Sequence, residues 1–93
     1  MTDLTQELLA ALRTLASRAR TGRVRIVDLY EAADVGGPRG WDMSEAASAL
    51  LALQDEGLIV LYRNDRTSSV TEDDRLCAVM VGGHPRHLVY LVK

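Results

Sequence analysis

The sequence contains a single cysteine, Cys77. One thiol rules out an internal disulfide framework and fits a reducing compartment. No apolar run approaches the ~20 residues that a membrane-spanning helix needs. Asp3 and Glu7 stand where a secretory leader would be basic. The expected location is therefore cytoplasmic, with no membrane partner. Positive charge is not in excess either: 11 Lys and Arg against 13 Asp and Glu give a net charge of −2. The chain as a whole thus has no electrostatic pull towards nucleic acid or an acidic lipid surface. Internal repeats and low-complexity tracts are absent.

Catalytic signatures are missing as well. A phosphate-cradling GxxxxGK(S/T) loop does not occur, because GGPRG at 36–40 lacks the lysine and follows no long strand. Ser68, Ser69, His84 and His87 offer parts for nucleophilic catalysis, yet nothing places a base beside a nucleophile. Cys77, His84 and His87 include a His-x-x-His pair, and three such ligands could hold a metal. Their spacing matches no zinc motif, and the preferred reading is surface or turn histidines with a small buried cysteine. Glu72-Asp73-Asp74 could attract a cation, but acids at a helix start are usually there for the helix dipole. A chain of 93 residues leaves little room for a deep pocket. The expectation is a non-enzyme without catalytic residues, metal, cofactor or small-molecule substrate.

What is present is ordinary for a globular protein: 47% hydrophobic and 26% charged residues. The length predicts one small domain spanning 1–93, with a thin core. Leu4, Leu8, Leu12, Leu15 and Ala19 step by four, four, three and four, widened by Leu9 and Ala16, and predict a first helix. Asp3 and Gln6 can cap its start, Arg18 and Arg20 suit the negative end of its dipole, and Gly22 ends it. Val24 to Ile26 alternate as a very short strand. A second helix is predicted over 27–33, with Leu29, Tyr30 and Ala33 inward. The stretch 34–40, DVGGPRG, is turn chemistry. Trp41 precedes the next helix and can staple it onto the body.

The organising stretch is 42–63, DMSEAASALLALQDEGLIVLYR. Asp42 is an N-cap and Glu45, three residues on, completes an acidic variant of the capping box. Ala46, Leu50, Leu53 and Gly57 share one face. Gly57 is the natural stop. The apolar run from Leu58 to Tyr62 then predicts a strand, extending to about Arg63. A polar, acidic segment covers 64–75, with Thr71 opening a short helical turn. Leu76, Ala78, Val79 and Val81 are apolar again, Gly82 to Pro85 make a turn, and His87 to Val92 form the last strand. In that strand Leu88, Tyr90 and Val92 face one way and Val89 and Leu91 the other.

The order is helix, short strand, helix, helix, strand, polar loop, strand. The two long strands can close as an antiparallel pair against the helices. This order, with ALLALQDEGLIVLYR at its centre, resembles the winged-helix family over nearly the whole chain. The resemblance implies an α+β fold, a three-helix winged-helix core with a C-terminal antiparallel β-hairpin as the wing. Two departures stand out. The loop between the second and third helices is longer and richer in glycine than a simple helix-turn-helix allows, and 64–81 is longer than a minimal wing.

In DNA-binding members of that family the third helix enters the major groove. Base reading there relies mostly on Arg, Lys, Asn and Gln. Here the outer face would be Glu45, Ser48, Ala52 and Asp55. From Asp42 to Glu56 there are four acids, one Gln and no Arg or Lys. Phosphates would repel such a helix, whereas a DNA reader draws much of its affinity from neutralising them. The leading expectation is a protein-interaction module, an adaptor or a dimeric regulator. Its candidate face is Glu45, Ser48, Ala52 and Asp55, and its partner a protein or a second copy of itself. The alternative is a DNA-binding regulator that docks through arginines. Arg13, Arg18, Arg20, Arg23 and Arg25 fall within thirteen residues that contain no acid, and Arg39, Arg63 and Arg66 could join them. Its candidates are Arg23, Arg25, Arg39, Arg63 and Arg66. The charges also segregate: 1–40 carries six basic and five acidic side chains, or +1, and 41–93 carries five and eight, or −3. Such asymmetry suits head-to-tail or partner contacts as well as DNA.

Overall fold

The leucine stripe near the start of the sequence forms α1, Asp3–Arg18, and buries Leu4, Leu8, Leu9 and Leu12. A computed structural model describes residues 3–37, 40–64 and 69–92, with only the backbone of Asp3. The expected capping role of the Asp3 side chain lies outside the described atoms. The helix stops four residues before Gly22, whose φ of 74° carries the chain into the next element.

β1, Arg23–Arg25, begins one residue earlier than the alternation predicts. Ile26 leaves the strand and starts α2, Ile26–Ala32, where it is buried with Leu29 and Tyr30. The loop that follows is held by its own backbone. Val35 and Trp41 form a bridge, Gly36 N–H donates to Trp41 O at 2.7 Å, and Trp41 N–H donates to Asp34 O at 3.1 Å. Gly40 is required by this close approach, since a Cβ there would fall 1.5 Å from the carbonyl oxygen of Asp34.

α3, Met43–Asp55, is capped by Asp42, whose Oδ1 accepts the Ser44 N–H at 3.0 Å. Glu45 makes no reciprocal bond, so the expected acidic capping box is reduced to the single Asp42 cap. At its other end the helix closes in a paired turn. Gly57 N–H donates to Gln54 O at 3.0 Å and Leu58 N–H to Leu53 O at 3.1 Å. This is the geometry in which the residue after the cap must be left-handed, and Gly57 has φ 78°. Ala46, Leu50 and Leu53 are buried.

β2, Ile59–Tyr62, turns Ile59 and Leu61 inward. α4, Glu72–Leu76, fills part of the long segment expected to be polar. Here the reciprocal capping box does form: Asp74 N–H donates to Thr71 Oγ1 at 3.1 Å, and Thr71 N–H donates to Asp74 Oδ2 at 2.9 Å. β3, Val79–Val81, and β4, His84–Arg86, then make a hairpin through Gly82 and Gly83. The sequence reads 82–85 as turn and starts the last strand at His87, so β4 is a correction. Pro85 tolerates this two-stranded edge because the ladder needs no N–H from it there. β5, Leu88–Leu91, is the last element among the described residues.

Among the described residues there are thus four helices, a three-stranded antiparallel sheet in the order β1-β5-β2, and the separate β3–β4 hairpin. The fold class is α+β. The expectation of three helices and one C-terminal hairpin undercounts it: β5 pairs with β2 as foreseen, but β1 also joins β5. Val24, Val89 and Leu61 align as one row across the three strands and face the helices, meeting Leu8, Leu12, Leu29, Leu50 and Leu53 in a single core. Burying each such leucine stabilises the fold by roughly 1.5–3 kcal/mol relative to leaving it in water.

The buried acid Asp74 ties the last third of the chain to the first. Arg25 Nε and Nη2 both donate to Asp74 Oδ1, at 3.1 and 2.9 Å. Asp74 is 3% exposed. Burial disfavours its charge and is the largest single influence on it. The bonds from the Thr71 backbone, Arg25 and the Thr71 hydroxyl, with the Arg25 charge, together outweigh burial and hold the carboxyl below its ordinary value. The folded state therefore keeps Asp74 ionised to lower pH than the unfolded chain does. This part of the stability is complete above about pH 4–5 and is lost as pH falls through the lowered folded value. Asp74→Asn should lower stability by about 2 kcal/mol, about 10 °C in Tm for a chain of this size. It should also flatten the acid limb of stability against pH, read by urea denaturation across a pH series.

Candidate functional site

α3 is positioned by its inner stripe, and its outer stripe follows from the same period. Ala46, Leu50 and Leu53 anchor it to the core, so Glu45, Ser48, Ala52 and Asp55 are all exposed. The four candidates share one surface, as the spacing predicts. Three of them, Glu45, Ser48 and Ala52, line a shallow open groove of about 530 Å³ between α3 and the start of α1. Its apolar floor includes Leu4 and Ala49. Asp55 lies further along the helix, beyond the groove.

Trp41 closes one end of this groove. It is half-buried, and its indole N–H donates to the Glu7 carboxylate. It therefore does more than staple α3: it joins the N-terminal helix to the start of α3 through a polar bond across 34 residues. No sequence pattern signals that pair. Glu7 adds a further carboxylate beside the groove.

The arginine candidates do not come together in the same way. Arg25 is engaged by Asp74 and lies 3.9 Å from Asp28. Arg23 is exposed on β1 and lies over the Tyr62 ring, 5.0 Å from its centroid. Tyr62 in turn meets Tyr90 edge-on, with ring centroids 6.4 Å apart. Arg63 is exposed just after β2, on the far side of the sheet order from β1. Arg39 and Arg66 lie outside the described residues.

The Cys77 and histidine trio reads differently in three dimensions. His87 is not a surface or turn histidine: it is 7% exposed, where the chain crosses from β4 to β5. Its backbone N–H donates to Tyr62 O at 2.9 Å, and its ring Nδ1 accepts the Asn64 N–H at 3.3 Å. His84 is exposed and Cys77 only half-buried. Burial, then Asp73 and Asp74, raise the Cys77 thiol above its ordinary value, so it stays protonated and a weak nucleophile near neutral pH. Among the described residues no group of three His, Cys, Asp or Glu is placed to hold a metal ion. No described helix is long and apolar enough to cross a membrane.

No family model matches the chain, and no curated protein or solved structure matches it at a significant level.

One buried polar atom is unexplained by the fold. The Tyr30 hydroxyl is buried and has no hydrogen-bond partner among the described residues. Burial, and secondarily the Cys77 thiol, push its ionisation well above the ordinary tyrosine value. An unpaired buried hydroxyl destabilises by roughly 1–3 kcal/mol. Tyr30→Phe should therefore leave stability unchanged or raise it by up to about 1 kcal/mol, measured as the denaturation midpoint. A clear loss would mean that the hydroxyl has a structural partner.

Proposed function

We propose that the chain is a non-enzymatic winged-helix module that acts mainly through protein–protein contact at the outer face of α3, as an adaptor or a dimeric regulator. The element order, the packing of α1, α2 and α3 on one side of an antiparallel sheet, and the β2–β5 pairing support the winged-helix part of this reading. On it, the β3–β4 hairpin and α4 are additions between the strands of the wing. The cytoplasm is the compartment that fits one half-buried thiol.

One observation carries the functional part. α3 presents Glu45 and Asp55 to solvent with no cation between Asp42 and Glu56. The neighbouring groove has an apolar floor and Glu45 at its rim. Apolar surface beside charge of one sign suits a protein partner with a basic or polar rim. Phosphates meeting this face would be repelled.

A DNA-binding regulator using the arginines remains the second reading, favoured by the exposure of Arg23 and Arg63, neither of which is paired with a described carboxylate. Arg25 weakens it, since its charge already answers Asp74. The two readings separate by measurement. Labelled duplex DNA should show no saturable anisotropy change at about 1 μM protein and low salt; tight binding that collapses steeply with salt would favour the second reading. Glu45→Arg with Asp55→Arg should leave stability within about 1 kcal/mol, since both sites are exposed. The same pair should abolish the capture of partners, or the dimer mass in light scattering, seen with the unsubstituted chain. Unchanged capture and mass would place the interaction elsewhere.

A further inference from the structure

Away from α3, a second pocket of about 480 Å³ opens between the end of β2, α4 and the β3–β4 hairpin. Its lining is of two kinds. Arg63 and Arg75 are both exposed, and neither makes an ion pair with a described residue. Met80, Pro85 and Val70 supply apolar lining, and Met80 is 56% exposed. No described residue that lines the pocket is acidic, in a chain whose net charge is −2.

His87 adds the decisive group. It lines the same pocket while being 7% exposed. Its Nδ1 is occupied as an acceptor by the Asn64 N–H at 3.3 Å. In the neutral ring the hydrogen then sits on Nε2, and no described residue accepts from it. His87 lines the pocket, so this N–H is available to an acceptor that arrives there. Two guanidinium groups and the donor-bearing ring of His87 thus line a cavity to which no described residue brings a negative charge. Its volume falls in the range of small-ligand sites.

We propose that this pocket binds a carboxylate carried on a short apolar body. The carboxylate meets Arg63, Arg75 and the His87 Nε2–H, since charge-assisted bonds from arginine to carboxylate are the strongest such pairs. The apolar body lies against Met80, Pro85 and Val70. A free aliphatic acid and the C-terminal residue of a peptide share this chemistry. The proposal does not depend on how α3 is used.

The test is a titration of the full chain, followed by amide and histidine-ring nitrogen shifts. The probes are octanoate, octanol, octylamine, inorganic phosphate, a duplex DNA, and a short peptide ending in valine with its carboxylate free or amidated. Octanoate or the free-acid peptide should bind at least about tenfold more tightly than octanol, octylamine or the amidated peptide. The shifts should centre on Asn64, Arg75 and the His87 Nε2. Whichever of the two acids binds more tightly identifies the source. Arg63→Gln with Arg75→Gln should remove at least about tenfold of that affinity, with the spectrum otherwise unchanged. Equal binding of octanoate, octanol and octylamine would overturn the proposal, because the pocket would then be merely apolar. Binding of phosphate or duplex DNA without octanoate, or shifts centred elsewhere, would also overturn it.

Discussion

The strand that comes last in the chain occupies the middle of the sheet. β5 lies between β1 and β2, and Val89 at its centre is fully buried between Val24 and Leu61. The helices have no complete surface to pack on until that row exists. α1, α2 and α3 can each form locally from their own periodicity, but isolated helices of this length are marginal in water. Their stability comes from covering the Val24–Val89–Leu61 row. The fold therefore closes only when residues near 90 reach residues near 24, a long-range event that should make folding cooperative and comparatively slow.

The same closure sorts the charges. Bringing the C-terminal third back over β1 delivers Asp74 to Arg25, so one arginine of the basic stretch is neutralised inside the structure. Arg23 is laid over an aromatic ring. Among the described residues the acids of α3 receive no such partners, because the helix shows them to solvent while its leucines hold the core. One member of the basic stretch is thus taken up by a carboxylate and another by an aromatic ring, while the acidic helix stays acidic. Two of the arginines that remain exposed, Arg63 and Arg75, flank a pocket on a different part of the molecule from α3.

Much of this could be read from the sequence wherever the signal is local. The leucine stripes of α1 and α3, the Asp42 cap, the Gly57 stop and the alternation of Val89 against Leu88 and Tyr90 all depend on neighbours within a few positions, and they appear where the periodicity puts them; which face of β5 turns inward is seen only in the structure. The outer face of α3 follows from the same rule. The ties that cross the chain could not be read: Arg25 with Asp74 spans 49 residues, Trp41 with Glu7 spans 34, and Asn64 with His87 spans 23. β4 was hidden for a different reason. Gly82, Gly83 and Pro85 are turn residues by composition, yet two left-handed glycines suffice for a tight hairpin, which frees His84 to Arg86 to pair. His87 looked like a surface residue because nothing local says that the chain changes sheets there.

The central claim is the sign of the field on the outward face of α3. Amide relaxation enhancements from cationic and anionic paramagnetic cosolutes of equal size measure it residue by residue. The account predicts that amides from Glu45 to Asp55 are relaxed more strongly by the cationic probe than by the anionic one, and that added salt removes the difference. Equal enhancements, or a larger effect from the anionic probe, would contradict it.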